Sequence, residues 1–316
     1  MTESLKLPKV PDKALEALKA GISRVLETKD WSGFITAIKQ IHDYSFNNRL
    51  LIMTEQWKRG YANTQFVAGR NKWKDKFNRL VKSEEVGKPI WILAPVMIDK
   101  RDENGNVIIR PDGKPVQVPV RFRGVRVYDQ NQTEGDPLPN VDSSNILRQV
   151  DEGGSKELLN ALVNIASQRN VVVNLNVPIE KMGHAWGCCY FMNEGRANEI
   201  DIRDELTLPT QISVLAHELG HAYLHNRDEY QEHSSTSIKE LEAESVAFLV
   251  CDHYGIDLGT RSFEYIVHHN VGTDDVVAEL LKSGERIIRT YEDIVMKSDM
   301  LVKLTERVQK RELVAA

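Results

Sequence analysis

The stretch HELGHAYLH, residues 217–225, decides how the second half of this chain is interpreted. Its three histidines stand four residues apart, and on an α-helix such positions lie on one face, roughly 6 Å apart along the axis. His217 and His221 can therefore bind one zinc ion through metal–nitrogen bonds of about 2.0–2.1 Å. His225 lies about 12 Å along the axis from His217, so a straight helix cannot bring all three to one ion.

The residue after each histidine distinguishes the pair 217/221 from the pair 221/225. Glu218 follows His217, whereas an alanine follows His221. In an H-E-x-x-H pattern the glutamate can take a proton from water at the metal. The sequence therefore predicts Zn²⁺ as the cofactor, His217 and His221 as ligands and Glu218 as the catalytic residue. His225 is expected beside a metal ligand or the substrate, or as a cation that the helix dipole favours at the C-terminus.

A third ligand is expected from KELEAE, residues 239–244, because a catalytic zinc ion normally has three protein ligands and an open position. On a helix Glu240 and Glu244 share one face, and Glu242 points roughly the other way. Either of the first two could bind the ion, and a solvated charge run is the alternative. The E-x-x-A-acid pattern resembles zinc peptidases of the gluzincin type, which implies that Glu240 is the ligand and Glu244 orients a histidine.

The first half of the chain has the opposite charge. Residues 42–92 carry ten basic and five acidic side chains, for a net of +5, whereas residues 194–245 carry four and twelve, for a net of −8. Residues 60–82 interleave four aromatic residues with six basic ones, as single-stranded nucleic acid requires for its phosphates and unstacked bases. The residues expected to bind single-stranded DNA are Arg70, Lys72, Trp73, Lys74, Arg79 and Lys82. Trp73 and Phe77, four apart, could equally form a core-facing stripe.

Length and composition indicate two domains in a cytoplasmic protein. The 316 residues suffice for two cores, and the net charge of −5 is close to neutral. No stretch approaches the roughly 20 apolar residues of a membrane span, and the start lacks a signal-peptide core. Three cysteines without C-x-x-C spacing favour a reducing compartment. Turn-forming residues at 129–145 place the boundary, which gives domains 1–138 and 155–316, a linker at 139–154 and an α+β fold.

Six stretches occur in the order found in ArdC-type antirestriction proteins, from Tyr44 to the C-terminus. They are YSFNNRLLI, VAGRNKWKDKFNRLVKSEEVGKPIWILAP, RFRGVRVYDQNQTEGDPLP, HELGHAYLH, KELEAESVAFLV and FEYIVHH. The chain departs from the usual family pattern within KFNRLVKSEEVGKP. The resemblance implies a single-stranded-DNA-binding domain joined to a gluzincin-like zinc metallopeptidase domain. It also implies that a plasmid, phage or other mobile genetic element encodes the protein to protect incoming DNA from restriction.

Two other functions are compatible with the sequence. The chain could be a regulatory zinc protease that cleaves a repressor-like or host protein, with DNA serving only for localisation. It could also be a non-enzymatic protein that coats single-stranded DNA and contains a structural zinc ion. Structural zinc sites usually have four cysteine or histidine ligands, so the H-E-x-x-H pattern argues against the last interpretation.

Overall fold

The computed structural model describes residues 11–28, 30–41, 43–61, 65–138, 152–192, 195–225, 235–256 and 274–315. The chain forms two compact units. The first comprises Met1–Arg24 and Gln40–Pro139, and the second comprises Val25–Lys39 and Asn140–Ala316. Each unit contains both helices and strands, which confirms the two-domain α+β fold. Within the described residues no helix is both long enough and apolar enough to span a membrane.

The elements before residue 138 alternate short helices with antiparallel strands. They are α1 (Asp12–Thr28), α2 (Trp31–Gln40), α3 (Phe46–Arg59), β1 (Val67–Ala68), α4 (Arg70–Phe77), β2 (Arg79–Val81), β3 (Ile90–Asp99), β4 (Gln117–Asp129) and β5 (Thr133–Gly135). Strands β3 and β4 form a long antiparallel ribbon with Ile90 opposite Val127, and β1 pairs with the end of β4. Strands β2 and β5 form a separate pair.

The core of the first unit lies on one face of the ribbon. Helix α3 is amphipathic and buries Phe46, Leu50 and Met53. A second cluster forms around Trp73 and Tyr128, because β1 and α4 fold back against the end of β4. Burying each large side chain of this kind contributes about 1.5–3 kcal/mol, so the two clusters hold the ribbon at its base.

The second unit has a three-stranded sheet covered by helices. Its elements beyond residue 151 are α5 (Glu152–Gln168), β6 (Val172–Val177), α6 (Ile179–Met182), β7 (Gly187–Phe191), β8 (Ala197–Arg203), α7 (Leu208–Leu224), α8 (Thr236–His253) and α9 (Asp274–Ala315). The strand order is β6–β8–β7, with β6 parallel and β7 antiparallel to the central β8. Because β8 leads directly into α7, the sheet sets the position of the helix with the HELGH motif.

Helix α2 packs within the second unit although it precedes the ribbon in sequence. The indole nitrogen of Trp31 donates to Ser245 Oγ at 2.9 Å, and Lys39 forms an ion pair with Asp252. The boundaries 1–138, 139–154 and 155–316 stay predictions, because residues 139–151 of the expected linker lie outside the described residues.

Candidate functional site

Helices α7 and α8 cross closely enough to bring their polar faces together. At the crossing, a Cβ placed on Gly220 would lie only 2.9 Å from the Cα of Ala243. Two small residues therefore let the helix backbones approach each other. His217 and His221 lie on either side of Gly220 along α7, and the glutamates around Ala243 on α8 face them.

Three donor atoms converge between the helices. The Nε2 atoms of His217 and His221 lie 3.0 Å apart, and the Glu240 carboxylate lies 3.5 Å from the first and 3.6 Å from the second. In a tetrahedron with metal–ligand bonds of about 2.0–2.1 Å, the ligand atoms are about 3.3 Å apart. The spacing of the three side chains therefore fits one metal ion of this size.

The other ring nitrogen of His217 is held by a carboxylate. His217 Nδ1 lies 3.0 Å from Glu244 Oε2, whose side chain is mostly buried. In the neutral ring, a proton on Nδ1 that is donated to Glu244 leaves the lone pair of Nε2 for a metal ion placed between His221 and the Glu240 carboxylate. Carboxylates placed this way orient the ligand ring and raise its basicity. Glu240 and Glu244 thus occupy different positions, with Glu240 beside both Nε2 atoms and Glu244 behind His217.

His221 is held by a chain of three further side chains. Its Nδ1 lies 2.8 Å from His225 Nδ1, and His225 Nε2 lies 3.0 Å from Glu242 Oε2. Arg286 of α9 donates to the other oxygen of Glu242. Because the Glu242 carboxylate accepts a hydrogen bond from His225 Nε2–H, the unprotonated His225 Nδ1 can accept a hydrogen bond from His221 Nδ1–H. This arrangement leaves His221 Nε2 able to act as a donor atom toward a metal.

His225 lies at the C-terminus of α7, beside the expected ligand His221. Its backbone N–H bonds the carbonyl of His221 at 3.0 Å, where it caps α7, and its buried side chain lies between His221 and Glu242. Sequence reasoning assigned no role to Glu242. The side chain points away from Glu240, as the helix geometry predicted, but it is fully buried rather than solvated. The buried position of a charged residue between two glutamates could not be read from the sequence.

Glu218 lies on the sheet side of α7 and is buried beside β7. A Cβ on Gly187 would lie 2.7 Å from Glu218 Oε1, so only glycine leaves room for this carboxylate. The backbone N–H of Cys189 donates to Glu218. Burial raises the pKa of Glu218 to about 7, despite the opposing effects of His217 and of this hydrogen bond. A carboxyl group with a pKa near neutrality is suited to taking up and releasing a proton at physiological pH.

The two histidines have opposite pKa shifts. Burial acts to lower the pKa of His217, but its contacts with Glu240 and Glu244 outweigh burial and raise the pKa to about 9. Burial and the positive charge of His217 lower the pKa of His221 to about 3. At neutral pH a proton is therefore held at His217, and a metal ion must displace it to bind there.

The residues expected to bind DNA do not form one surface. Arg70, Lys72 and Lys74 are exposed on α4, and Lys72 pairs with Asp43 at 3.1 Å in a solvent-exposed ion pair. Such a pair is worth at most about 1 kcal/mol and can yield to a phosphate. The three side chains remain suitable for a nucleic-acid backbone.

The other three expected DNA contacts are engaged within the protein. Trp73 is fully buried, and its indole nitrogen donates to the carbonyl of Tyr128 at 2.9 Å, so the ring offers no face to a base. The expectation that Trp73 stacks on DNA is therefore corrected in favour of the core stripe, which the sequence left open. The Arg79 guanidinium donates to carbonyls of Thr133, Gly135 and Asp136. Lys82 Nζ donates to the carbonyl of Asn131.

Comparison with protein families matches both halves of the chain. Residues 8–128 match the N-terminal domain of the anti-restriction factor ArdC, and residues 189–256 match the IrrE N-terminal-like domain of the M78 peptidase family. The second match spans the HELGH helix and the glutamate-rich helix α8. The domain composition of an ArdC-type protein, expected from the six sequence stretches, is thereby confirmed.

Two individual proteins are similar to the chain. An uncharacterized protein of Bacillus anthracis, pXO2-81, is 28% identical over 192 residues, which are 58% of this chain and 32% of that protein. The chain thus spans about a third of the length of this relative. The Mn(II)-bound crystal structure of the antirestriction protein ArdC from plasmid R388 is 16% identical, with a TM-score of 0.43. That alignment covers 81% of this chain and 83% of the solved one.

Proposed function

We propose that the protein is an antirestriction protein of a mobile genetic element, since it joins a segment that matches the ArdC N-terminal domain to one that matches an M78-type domain. In this proposal the first unit binds single-stranded DNA and the second carries a hydrolytic site that depends on a divalent metal ion. The convergence of His217, His221 and Glu240 on one point, beside the buried Glu218, is the observation that supports the second activity most strongly.

We assign the metal to the two Nε2 atoms and the Glu240 carboxylate. Two imidazoles and one carboxylate suit Zn²⁺, and such a set binds Zn²⁺ more tightly than Mn²⁺ in the general order of divalent metals. Mn²⁺, the ion bound in the R388 ArdC crystal structure, is the natural comparison. Isothermal titration should give one Zn²⁺ per chain, bound more tightly than Mn²⁺. Tighter binding of Mn²⁺ would contradict the assignment to zinc.

The proposed chemistry is hydrolysis of a peptide bond. A divalent ion held by His217, His221 and Glu240 would polarise a carbonyl group and lower the pKa of water. Glu218 then accepts a proton from the attacking water and transfers it to the leaving amine, which its raised pKa favours. Glu244 holds the ring of His217, and His225 holds that of His221, so that neither ring rotates away. The Cys189 amide fixes the Glu218 carboxylate beside the donor atoms.

DNA binding is proposed for the exposed cations of α4. Replacing Arg70, Lys72 and Lys74 by alanine should weaken binding to single-stranded oligonucleotides. It should also reduce the slope of log K against log salt concentration by roughly 2, or about 0.7 for each phosphate that is no longer neutralised. The matched control replaces three exposed cations of α9, namely Lys282, Arg289 and Lys303. Equal effects of the two triple variants would mean that only overall charge matters.

A regulatory protease is the second candidate, and the match of residues 189–256 to the IrrE-like peptidase family favours it. An antirestriction assay distinguishes the two: unmodified DNA is introduced into a restricting host that expresses each variant. We expect the wild-type protein to protect the DNA and the α4 triple variant to lose protection. Glu218→Gln keeps the size and burial of the side chain but cannot act as a base, so it should abolish hydrolysis. Full protection by Glu218→Gln would separate antirestriction from proteolysis and leave the regulatory role for the metal site.

A further inference from the structure

Trp91 of β3 is exposed, whereas Trp73 of the same unit is fully buried. The Trp91 side chain is 53% exposed, whereas Ile90 and Ile92 on either side of it are buried. Tryptophan is generally among the more buried residue types, so an indole left half in solvent on a regular strand suggests a partner. The partner must offer a flat apolar face.

The strand opposite Trp91 is shaped to display the ring. A Cβ on Gly124 would lie 3.1 Å and 3.4 Å from two atoms of the indole, so the absence of a side chain lets the ring lie close against β4. Arg126 is the direct cross-strand partner of Trp91, and its guanidinium lies 5.4 Å from the ring centroid. A cation at this distance interacts with the ring face and keeps a positive charge beside it.

A cleft of about 540 Å³ opens next to the exposed ring within the first unit. Its walls include Leu93 and Gly124 of the ribbon, Ala14 and Ala17 of α1, and Leu51 of α3. The volume lies within the range of roughly 300–1,000 Å³ typical of small-molecule sites. Glu55, the acidic side chain of the lining, is already paired with Lys58 and Arg59 and so repels an anion less.

The charge around the ring favours a polyanion. Residues 117–128 of β4 include the exposed arginines 121, 123 and 126 and no acid. Arg126 shares its face of the ribbon with Trp91, its direct cross-strand partner, whereas Arg121 and Arg123 lie on the opposite face because side chains alternate along a strand. The backbone carbonyl of Arg126 would lie 3.9 Å from a Cβ on Gly69, the residue that precedes α4. The backbone of Arg126 therefore lies near the start of α4, the helix that carries Arg70 of the proposed DNA surface.

We propose that Trp91 and Arg126 form a subsite for one unpaired nucleotide of single-stranded DNA, an inference that rests on the proposed DNA binding. The base stacks on the indole at the mouth of the cleft, and the guanidinium contacts the adjacent phosphate. This subsite replaces the stacking role that the sequence assigned to Trp73. It adds an aromatic contact to the cations of α4, the combination that binds unstacked strands without sequence preference.

Fluorescence anisotropy with a labelled oligothymidine tests the subsite. Stacking of one base is worth about 1–3 kcal/mol, so Trp91→Ala should weaken binding between about 5-fold and 150-fold, with the salt dependence unchanged. Trp91→Phe keeps a flat ring and should restore most of the affinity. Trp186→Ala is the matched control, since Trp186 is 52% exposed but lies in the second unit.

The arginine is tested by its salt dependence. Arg126→Ala should weaken binding and reduce the salt slope by about 0.7, whereas Arg110→Ala, an exposed arginine near the far end of the ribbon, should leave both unchanged. If the wild-type protein binds the oligonucleotide and Trp91→Ala binds it with an affinity within twofold of the wild type, the subsite is overturned and the proposed function stays intact. Absence of binding by the wild-type protein would instead refute the proposed function. An equal loss for a duplex would also overturn the subsite, because paired bases cannot stack on the indole.

Discussion

Glu242 provides a direct test of the hydrogen-bond chain behind His221. Its side chain is fully buried, and it accepts from His225 at 3.0 Å and from Arg286. Glu242→Gln keeps the shape of the side chain but replaces one acceptor oxygen with an NH₂ donor. That donor must face either the Arg286 guanidinium or His225 Nε2–H. The change therefore creates a donor–donor conflict and removes the negative charge opposite Arg286.

The expected cost follows from the burial of the two partners. Removing one member of a buried ion pair costs about 3–5 kcal/mol, because the remaining charge is left without compensation. The Arg286 side chain is 30% exposed and stays partly hydrated, and glutamine retains one acceptor. The free energy of unfolding should therefore fall by about 2 kcal/mol, the value of a hydrogen bond to a charged group. The control Glu285→Gln breaks an exposed 3.7 Å pair with Arg289 and should change stability by less than about 0.5 kcal/mol.

The pH dependence of this loss has a definite sign. Burial acts to raise the pKa of Glu242, but hydrogen bonds from His225 and Ser283 and the charge of Arg286 hold it below its usual value of 4.5. A carboxylate with a depressed pKa stabilises the fold above the unfolded pKa, and this contribution is lost as pH falls through the folded value. The difference between wild type and Glu242→Gln should thus be full at pH 7 and shrink below about pH 4.5.

Urea unfolding of the metal-free proteins measures the stability, and zinc titration measures the effect on the site. Because His225 then no longer accepts reliably from His221, zinc affinity should fall between 10-fold and 100-fold. The reasoning is refuted if Glu242→Gln unfolds like the Glu285→Gln control and binds zinc as tightly as the wild-type protein.

Three further outcomes follow from the packing and the pKa values. Gly220→Ala should destabilise the protein by about 1–3 kcal/mol, because the added Cβ meets the backbone of Ala243, although alanine is the better helix former. A gain of stability in urea unfolding would contradict the close helix crossing. Zinc binding at pH 7 should release about one proton from His217, whose pKa is about 9, and the zinc affinity should fall as pH is lowered. Calorimetry in buffers of different ionisation enthalpy measures this release. If no proton is released, His217 is not protonated at pH 7. Trp73→Ala should lower the free energy of unfolding by about 3–5 kcal/mol, because it leaves a cavity at a buried site. A folded variant with unchanged stability that no longer binds DNA would show that Trp73 belongs to the DNA-binding surface.

The residues of the metal site could largely be predicted from the sequence, because helix periodicity is a strong constraint. Spacing of four residues placed His217 and His221 on one face, and the same rule separated Glu240 from Glu242. The structure brings the three expected donors together, and the assignment of the ion to them stays a proposal. What spacing could not give was the crossing of two helices, which depends on Gly220 and Ala243, or the contact of Glu242 with a residue 44 positions away.

The DNA-binding surface was harder to predict from the sequence, because the composition of a short helix does not show which face is buried. The alternation of aromatic and basic residues in 60–82 fitted a stacking surface and a core stripe equally well. Trp73 and Phe77 pack together with ring centroids 5.0 Å apart, so tertiary packing decides for the core. Trp91 lies in an apolar strand sequence, which does not indicate that its side chain is exposed to solvent. Its display depends on a glycine in the partner strand, and pairing register is not visible in one strand alone.

The placement of one metal ion between α7 and α8 is tested most directly by metal content after dialysis. Elemental analysis of the zinc-loaded protein should find one equivalent in the wild type and in Glu218→Gln, and none in Glu240→Gln. Glu244→Gln should retain the ion with an affinity lowered between 10-fold and 100-fold, because Glu244 only orients His217. One full equivalent in Glu240→Gln together with loss in Glu244→Gln would contradict the site as assigned.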